Sequence, residues 1–149
     1  MSEAKSARLE LRLRNDLTEL DTLSEALEEF CEAKAVPTGA AYHLNLVLDE
    51  LVTNIVSYGY EEDAGEREIV IQLEREANAV AVVVEDDGVA FNPLSAKEPD
   101  LDASVEERPI GGLGLHFLRT LMDDLCYRRK DGRNRLGFRK PLTDQPNAA

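Results

Sequence analysis

The sequence has no tryptophan, two histidines and two cysteines, and aromatic residues make up only 5% of its 149 positions. Cys31 and Cys126 are too few for a disulfide framework, and their spacing fits no zinc-ligand pattern. They read as buried or half-buried thiols of a protein kept in a reducing cytoplasm. Long hydrophobic runs are missing as well. The longest purely apolar stretch is Ala79–Val84, far short of the ~20 residues that cross a bilayer. Met1–Arg14 contains no apolar block of signal-peptide length. These absences predict a soluble, cytoplasmic protein without a membrane partner. Positive charge is scarce too: 17 Lys and Arg stand against 30 Asp and Glu, a net charge of −13. So acidic a chain is a poor binder of nucleic acid, whose phosphates need clustered Lys and Arg, or of an anionic membrane surface. Any anionic ligand must be held by local devices that override a repulsive overall field.

What is present is enough for one domain. At 43% hydrophobic, the chain can bury a core without disulfide or metal staples. One domain is expected over residues 1–140, with 141–149 as a frayed tail. The charge is unevenly spread: residues 1–118 hold 9 basic and 26 acidic residues, whereas residues 119–149 hold 8 basic and 4 acidic. The basic section Arg119–Lys140 reads as the solvated face of a small sheet, or alternatively as a docking surface or part of an anion site.

Alternation of Leu9, Leu11 and Leu13 with charges predicts a half-buried strand over Arg8–Arg14. Asp16 followed by Glu19 resembles a capping box, opening a helix that runs to about Lys34. A second helix is expected from about Gly39 to Tyr58. Glu68–Arg75 and Ala79–Glu85 read as strands joined by a short turn, and Leu125–Lys130 and Arg133–Arg139 as a hairpin around Asp131-Gly132. Leu94–Ile110 has no clear period, which suggests a functional lid or a disordered segment. A third helix opens in the glycine-rich run Gly111–Leu115 and reaches about Met122. Paired strands with inserted helices predict an α+β fold: a two-layer sandwich, with three helices on one face of a mixed, mainly antiparallel sheet.

Three segments can carry chemistry. On the second helix, Glu50 and Asn54 stand four apart and share a face. A carboxylate there can take a proton from an attacking hydroxyl, and an amide oxygen can ligate Mg²⁺. His43 precedes them by two turns. The second segment is the strand end Asp86-Asp87-Gly88. A carboxylate in that setting can accept from an exocyclic amine, and Gly88 permits a positive φ and close approach of a ligand. The third is Gly111-Gly112-Leu113-Gly114-Leu115, which leads straight into a helix. Free N–H groups at such a terminus can bind phosphate oxygens. The spacing is neither that of a P-loop nor that of a dinucleotide fingerprint.

In this order the three segments resemble the GHKL ATPase family, whose fold is the Bergerat α/β sandwich. E-L-V-T-N-I-V-S-Y-G-Y, D-D-G-V-A-F-N-P-L and G-G-L-G-L-H-F-L-R-T-L-M-D look most like its small single-domain branch, the bacterial anti-sigma factor serine/threonine kinases. The resemblance implies ATP and Mg²⁺ as cofactors, with Asn54 on the metal and Glu50 as general base. It implies Asp86 on the adenine amine, Gly88 and Ala90 shaping the base pocket, and Gly111, Gly112, Leu113, Gly114 and Leu115 around the phosphates. Arg108, in a lid over residues 94–110, would reach the phosphates. Ala90 stands where a second glycine is common, and Tyr58 where the branch often has a histidine. The implied activity is phosphorylation of a STAS-type anti-anti-sigma factor, with a sigma factor as second partner and homodimerisation through the first helix and strand. The alternatives are a non-catalytic ATP-dependent binding module and a stand-alone histidine-kinase-like ATPase domain.

Overall fold

The structure is a computed structural model and describes residues 7–58, 67–95 and 112–142. Five strands are described: β1 (Arg8–Arg14), β2 (Glu68–Arg75), β3 (Ala79–Asp86), β4 (Asp123–Lys130) and β5 (Arg133–Pro141). The helices are α1 (Glu19–Ala33), α2 (Thr38–Tyr58) and α3 (Gly112–Leu121), with a 3-10 turn at Pro93–Ser95. The strands form one sheet in the order β1-β2-β3-β5-β4. Each neighbouring pair is antiparallel, so the sheet is not mixed.

The period-2 pattern decides which face is buried. Leu13 of β1, Ile69, Ile71 and Leu73 of β2, Val80, Val82 and Val84 of β3, and Leu136 and Phe138 of β5 point to the helices and are buried. The opposite face carries charge pairs. Arg12 meets Glu10 and Glu68, Arg133 and Arg135 meet Glu85, and Arg139 meets Glu76 and Asp124. Of the basic tail, Arg133, Arg135 and Arg139 lie on the solvated side of this sheet and face acidic neighbours, whereas Arg119, Arg129 and Lys140 donate to backbone carbonyls.

Helix α2 is the centre of the core. Leu44, Val47, Leu48, Leu51 and Val52 are all buried, at the i, i+3, i+4, i+7, i+8 spacing of a helix held on one broad face. The helix begins directly after Pro37, whose carbonyl accepts from the Ala41 N–H at 2.9 Å. Helix α1 packs Leu23, Leu27, Phe30 and Cys31 beside it. It ends in a Schellman-type turn: Val36 N–H reaches Cys31 O, and Ala35 sits at φ 56°.

The expected capping box is not the one that forms. Thr18 precedes α1 and makes no side-chain cap. Asp16 instead accepts from the Thr18 N–H and hydroxyl in a local turn, at 3.0 and 2.9 Å. Glu19 does reach back, but to the Arg14 N–H at 2.9 Å, because β1 ends there and leaves that donor open. The β4–β5 turn follows the Asp-Gly rule: Asp131 and Gly132 both have positive φ, 55° and 76°. Cys31 is buried as expected, whereas Cys126 is exposed on the edge strand. No described helix is long and apolar enough to cross a membrane.

Candidate functional site

The connections fix which ends of the elements meet. Arg75, at the end of β2, donates to the Lys34 carbonyl at 3.0 Å, so the α1–α2 junction lies at that end of the sheet. Helix α2 then runs back toward the other end, where Ile69 pairs with Asp86 and Asp86 with Asn134. Lys140, near the end of β5, donates to Leu121 O at 3.3 Å, which places the C-terminus of α3 beside the α1–α2 junction and its N-terminus at the Asp86 end. One end of the sandwich thus gathers Glu50 and Asn54, Asp86 to Ala90, and the start of α3 at Gly112.

Glu50 and Asn54 are half-buried on the flank of α2. Neither side chain makes a hydrogen bond to a described residue. Burial, with a smaller push from Asp49, holds the Glu50 carboxyl above its ordinary value. Such a group takes up a proton more readily than an exposed glutamate does. The Asn54 amide offers one oxygen. Among the described residues no three His, Cys, Asp or Glu side chains cluster as metal ligands. A single amide oxygen suits Mg²⁺, which keeps several waters and draws its other ligands from substrate phosphates.

Asp86 is buried, at 6% exposure. Its Oδ1 accepts from the Gly88 N–H at 2.8 Å and from Asn134 Nδ2 at 3.0 Å. Both bonds fall on one oxygen, leaving Oδ2 as the acceptor for a ligand. Burial raises the Asp86 pKa, while Asn134 and the Gly88 N–H pull it back. Gly88 itself departs from expectation. Among the described glycines only Gly132 has a positive φ, so Gly88 does not serve as a left-handed hinge. It is buried, with its N–H on Asp86 and its carbonyl accepting from Arg129 Nη1 at 2.9 Å. Ala90 is exposed in the loop that follows.

Sequence reasoning missed Asn134, which organises this loop. Its Nδ2 donates to Asp86 Oδ1 and Val89 O, and its Oδ1 accepts from Tyr127 Oη and, at 3.3 Å, from Phe91 N. The residue lies in the run Arg133-Asn134-Arg135, where only strand register shows that it faces the core. Arg119 was also missed as a site element. It donates to Leu94 O at 3.0 Å and so ties α3 to the 3-10 turn.

Gly112 to Leu115 lie in the first turn of α3, whose N–H groups have no partner within the helix. Gly111, Arg108 and the expected lid from residue 96 onward lie outside the described residues. His43 is not part of the site. It stands near the start of α2, where Lys140 acts on it, at the opposite end of β5 from Asn134. Its Nδ1 is buried without a partner among the described residues.

The model of the histidine kinase-like ATPase domain matches residues 13–140. The chain belongs to this family. Within the histidine kinase-like ATPase domain family it is similar to serine-protein kinase RsbW of Bacillus mycoides (strain KBAB4), with 37% identity over 93 residues, covering 60% of this chain and 57% of the relative. For serine-protein kinase RsbW of Bacillus cereus (strain AH187) the identity is 39% over 103 residues, covering 64% of this chain and 63% of the relative. The match thus spans about 60% of the length of these curated relatives. Among solved structures, the blue-light activated histidine kinase of Erythrobacter litoralis EL346 superposes with a TM-score of 0.54 at 17% identity, covering 84% of this chain and 41% of that one. Its histidine kinase domain gives 0.52 at 17% identity, covering 85% of this chain and 60% of that one. At that identity the likeness shows the shared fold, the α+β sandwich expected from the sequence.

Proposed function

We propose that this chain binds ATP and transfers its γ-phosphoryl group to a serine of a small STAS-type anti-anti-sigma partner, acting as an anti-sigma factor kinase in the cytoplasm. The observation that carries the reading is the meeting of three segments at one end of the sandwich: Glu50 with Asn54, Asp86 with Gly88, and the opening of α3. The named serine-protein kinases among its relatives give the direction of the chemistry.

Glu50, Asn54, Asp86 and Gly88 each have a role that their surroundings permit. Asp86 Oδ2 accepts the exocyclic amine of adenine, and the Gly88–Ala90 loop forms the wall beside it. The N–H groups from Gly111 to Leu115 meet the phosphates at the positive end of α3. Asn54 holds Mg²⁺, which when bound neutralises phosphate charge. Arg108, from the lid, adds a guanidinium to the same charge. Glu50, with its carboxyl held up by burial, takes the proton of the attacking serine hydroxyl. Phosphoryl transfer needs chiefly positioning and charge neutralisation, and these groups supply both. An acidic protein can hold ATP in this way because backbone amides and a metal do the local work.

The test is incubation with Mg-ATP and a STAS partner, followed by phosphoserine detection. Wild-type protein labels the partner. Glu50→Gln binds nucleotide as well as wild type but transfers at least ~100-fold more slowly, the scale expected for loss of a general base. Nucleotide binding without any labelled partner, together with unchanged partner binding by Glu50→Ala, would identify a binding module instead. Absence of nucleotide binding would overturn the reading altogether.

A further inference from the structure

The loop that carries the base-binding carboxylate is held from the edge strand β4. Two residues on the same face of that strand reach it. Arg129 Nη1 donates to Gly88 O at 2.9 Å, and Tyr127 Oη donates to Asn134 Oδ1 at 2.5 Å. A tyrosine hydroxyl can donate or accept, so the second bond holds the Asn134 amide in place without choosing its sense. An asparagine amide has an accepting end and a donating end, and exchanging them reverses every bond it makes. The Phe91 N–H, which can only donate, meets Oδ1, and the NH₂ end faces Asp86 Oδ1 and Val89 O, which accept. Turned the other way, the amide oxygen would face a carboxylate oxygen and a carbonyl.

We propose that Tyr127 and Arg129 are positioning residues for base recognition: from the edge strand they lock the Asn134 amide and the Gly88 peptide, so that Asp86 presents Oδ2 as a fixed acceptor to an amino-bearing purine. The inference rests on the reading that this site binds an adenine nucleotide. It assigns base selectivity to a strand that need not touch the base. Both residues support the Asp86 acceptor through different intermediates, Tyr127 through Asn134 and Arg129 through the Gly88 peptide. The Arg129 guanidinium also favours the ionised carboxylate, the form that can only accept. A 6-oxopurine presents an oxygen where adenine presents its amine, and a fixed carboxylate repels it. A carboxyl freed to turn or to hold a proton tolerates that oxygen.

The experiment compares ADP with inosine diphosphate, which carries the 6-oxo group, by calorimetric titration of wild type, Tyr127→Phe and Arg129→Met. Tyr127→Phe keeps the ring in its half-buried place and deletes only the hydroxyl. Arg129→Met keeps most of the stem. Loss of one supporting hydrogen bond corresponds to about three- to tenfold in affinity. Each variant should therefore weaken ADP by about that factor and leave inosine diphosphate unchanged or tighter, so that the discrimination ratio narrows. A thermal melt of each variant checks that it is folded. The inference is overturned if both folded variants keep the wild-type ratio, or if both nucleotides weaken equally, as a purely structural role would cause. Wild-type protein that binds neither nucleotide overturns the functional reading itself. Wild type that binds ADP beside variants with an unchanged ratio overturns only the assignment of Tyr127 and Arg129.

Discussion

Asp86 and Asn134 face each other directly across the β3–β5 ladder, and the asparagine donates to the aspartate at 3.0 Å. The pair sits where a buried strand end would otherwise carry only apolar side chains. Burial raises the Asp86 pKa, so its ionised form opposes folding. The folded value lies above the ordinary one of 3.8. Stability from this group is thus fully present below pH 3.8 and is lost as pH rises through the folded value.

Asp86→Asn should therefore separate folding from function. The amide oxygen can keep both bonds now made by Oδ1, and no charge is buried. The thermal midpoint should hold or rise by roughly 2–4 °C, and the stability penalty above the folded pKa should vanish. ADP binding should fall by about 10- to 100-fold, since a charge-assisted bond to the base is gone. Differential scanning fluorimetry and titration on the same preparation check both. A variant that binds ADP normally would remove Asp86 from the base site.

The elements were legible because each has a strong period. Leu9, Leu11 and Leu13 alternate in β1, and α2 repeats its apolar face without a break. Glu50, Asn54, Asp86 and the glycine run were legible as residue types suited to nucleotide chemistry. Partnerships between distant segments were not. Nothing in Arg133-Asn134-Arg135 shows that Asn134 faces Asp86, because that depends on the register of β5 on β3. His43 looked close to Glu50 because both lie on one helix. Yet α2 spans the sheet, and its first turns end beside Lys140. The charge pairs of Arg135 and Arg139 could not be seen in the tail itself, since Glu85 and Glu76 come from 50 and 63 residues earlier in the chain.

Leu48 gives a measure of how much the core depends on α2. It is fully buried in the core. Leu48→Ala removes apolar contact and leaves a cavity, a change that costs about 2–5 kcal/mol in comparable cores. Urea unfolding should show the midpoint falling with an unchanged slope. A loss below about 1 kcal/mol would mean that the helix layer repacks around the gap.

Ala35 offers the opposite test. It occupies the left-handed region at φ 56°, directly after α1, and is exposed. A side chain in that conformation costs about 1 kcal/mol relative to glycine. Ala35→Gly relieves the strain and also loosens the unfolded chain, which offsets part of the gain. The net expectation is a stabilisation of about 0.5 kcal/mol, read as a higher urea midpoint with nucleotide affinity unchanged. A destabilised variant would show that the alanine methyl contributes packing beyond its exposed position.

His43 should give the protein a stability step near neutral pH. Its Nδ1 is buried without a partner among the described residues, and it stacks at a tilt on Tyr42 with ring centroids 6.0 Å apart. Burial first, and then the ammonium of Lys140, lower its pKa from the ordinary 6.5. The unfolded chain therefore binds a proton at a pH where the folded protein still refuses it. Stability should fall as pH drops from above 6.5 through the folded value, and then level off. Lys140 is itself buried against the Leu121 carbonyl, with its pKa lowered by burial and partly restored by Asp123. Glu10, Asp16 and Glu19 have lowered pKa values and act only at more acidic pH, whereas Glu50 and Asp86 have raised values and act in the opposite sense, so the step of His43 is read as the difference between wild type and variant. The comparison is urea unfolding at about pH 7.5 and about pH 5.5 for wild type and His43→Gln, a window in which histidine is the side chain that ordinarily titrates. Wild type should lose midpoint between the two conditions and the variant should lose less. Equal losses would place the acid sensitivity elsewhere and show that the imidazole reaches solvent when it charges.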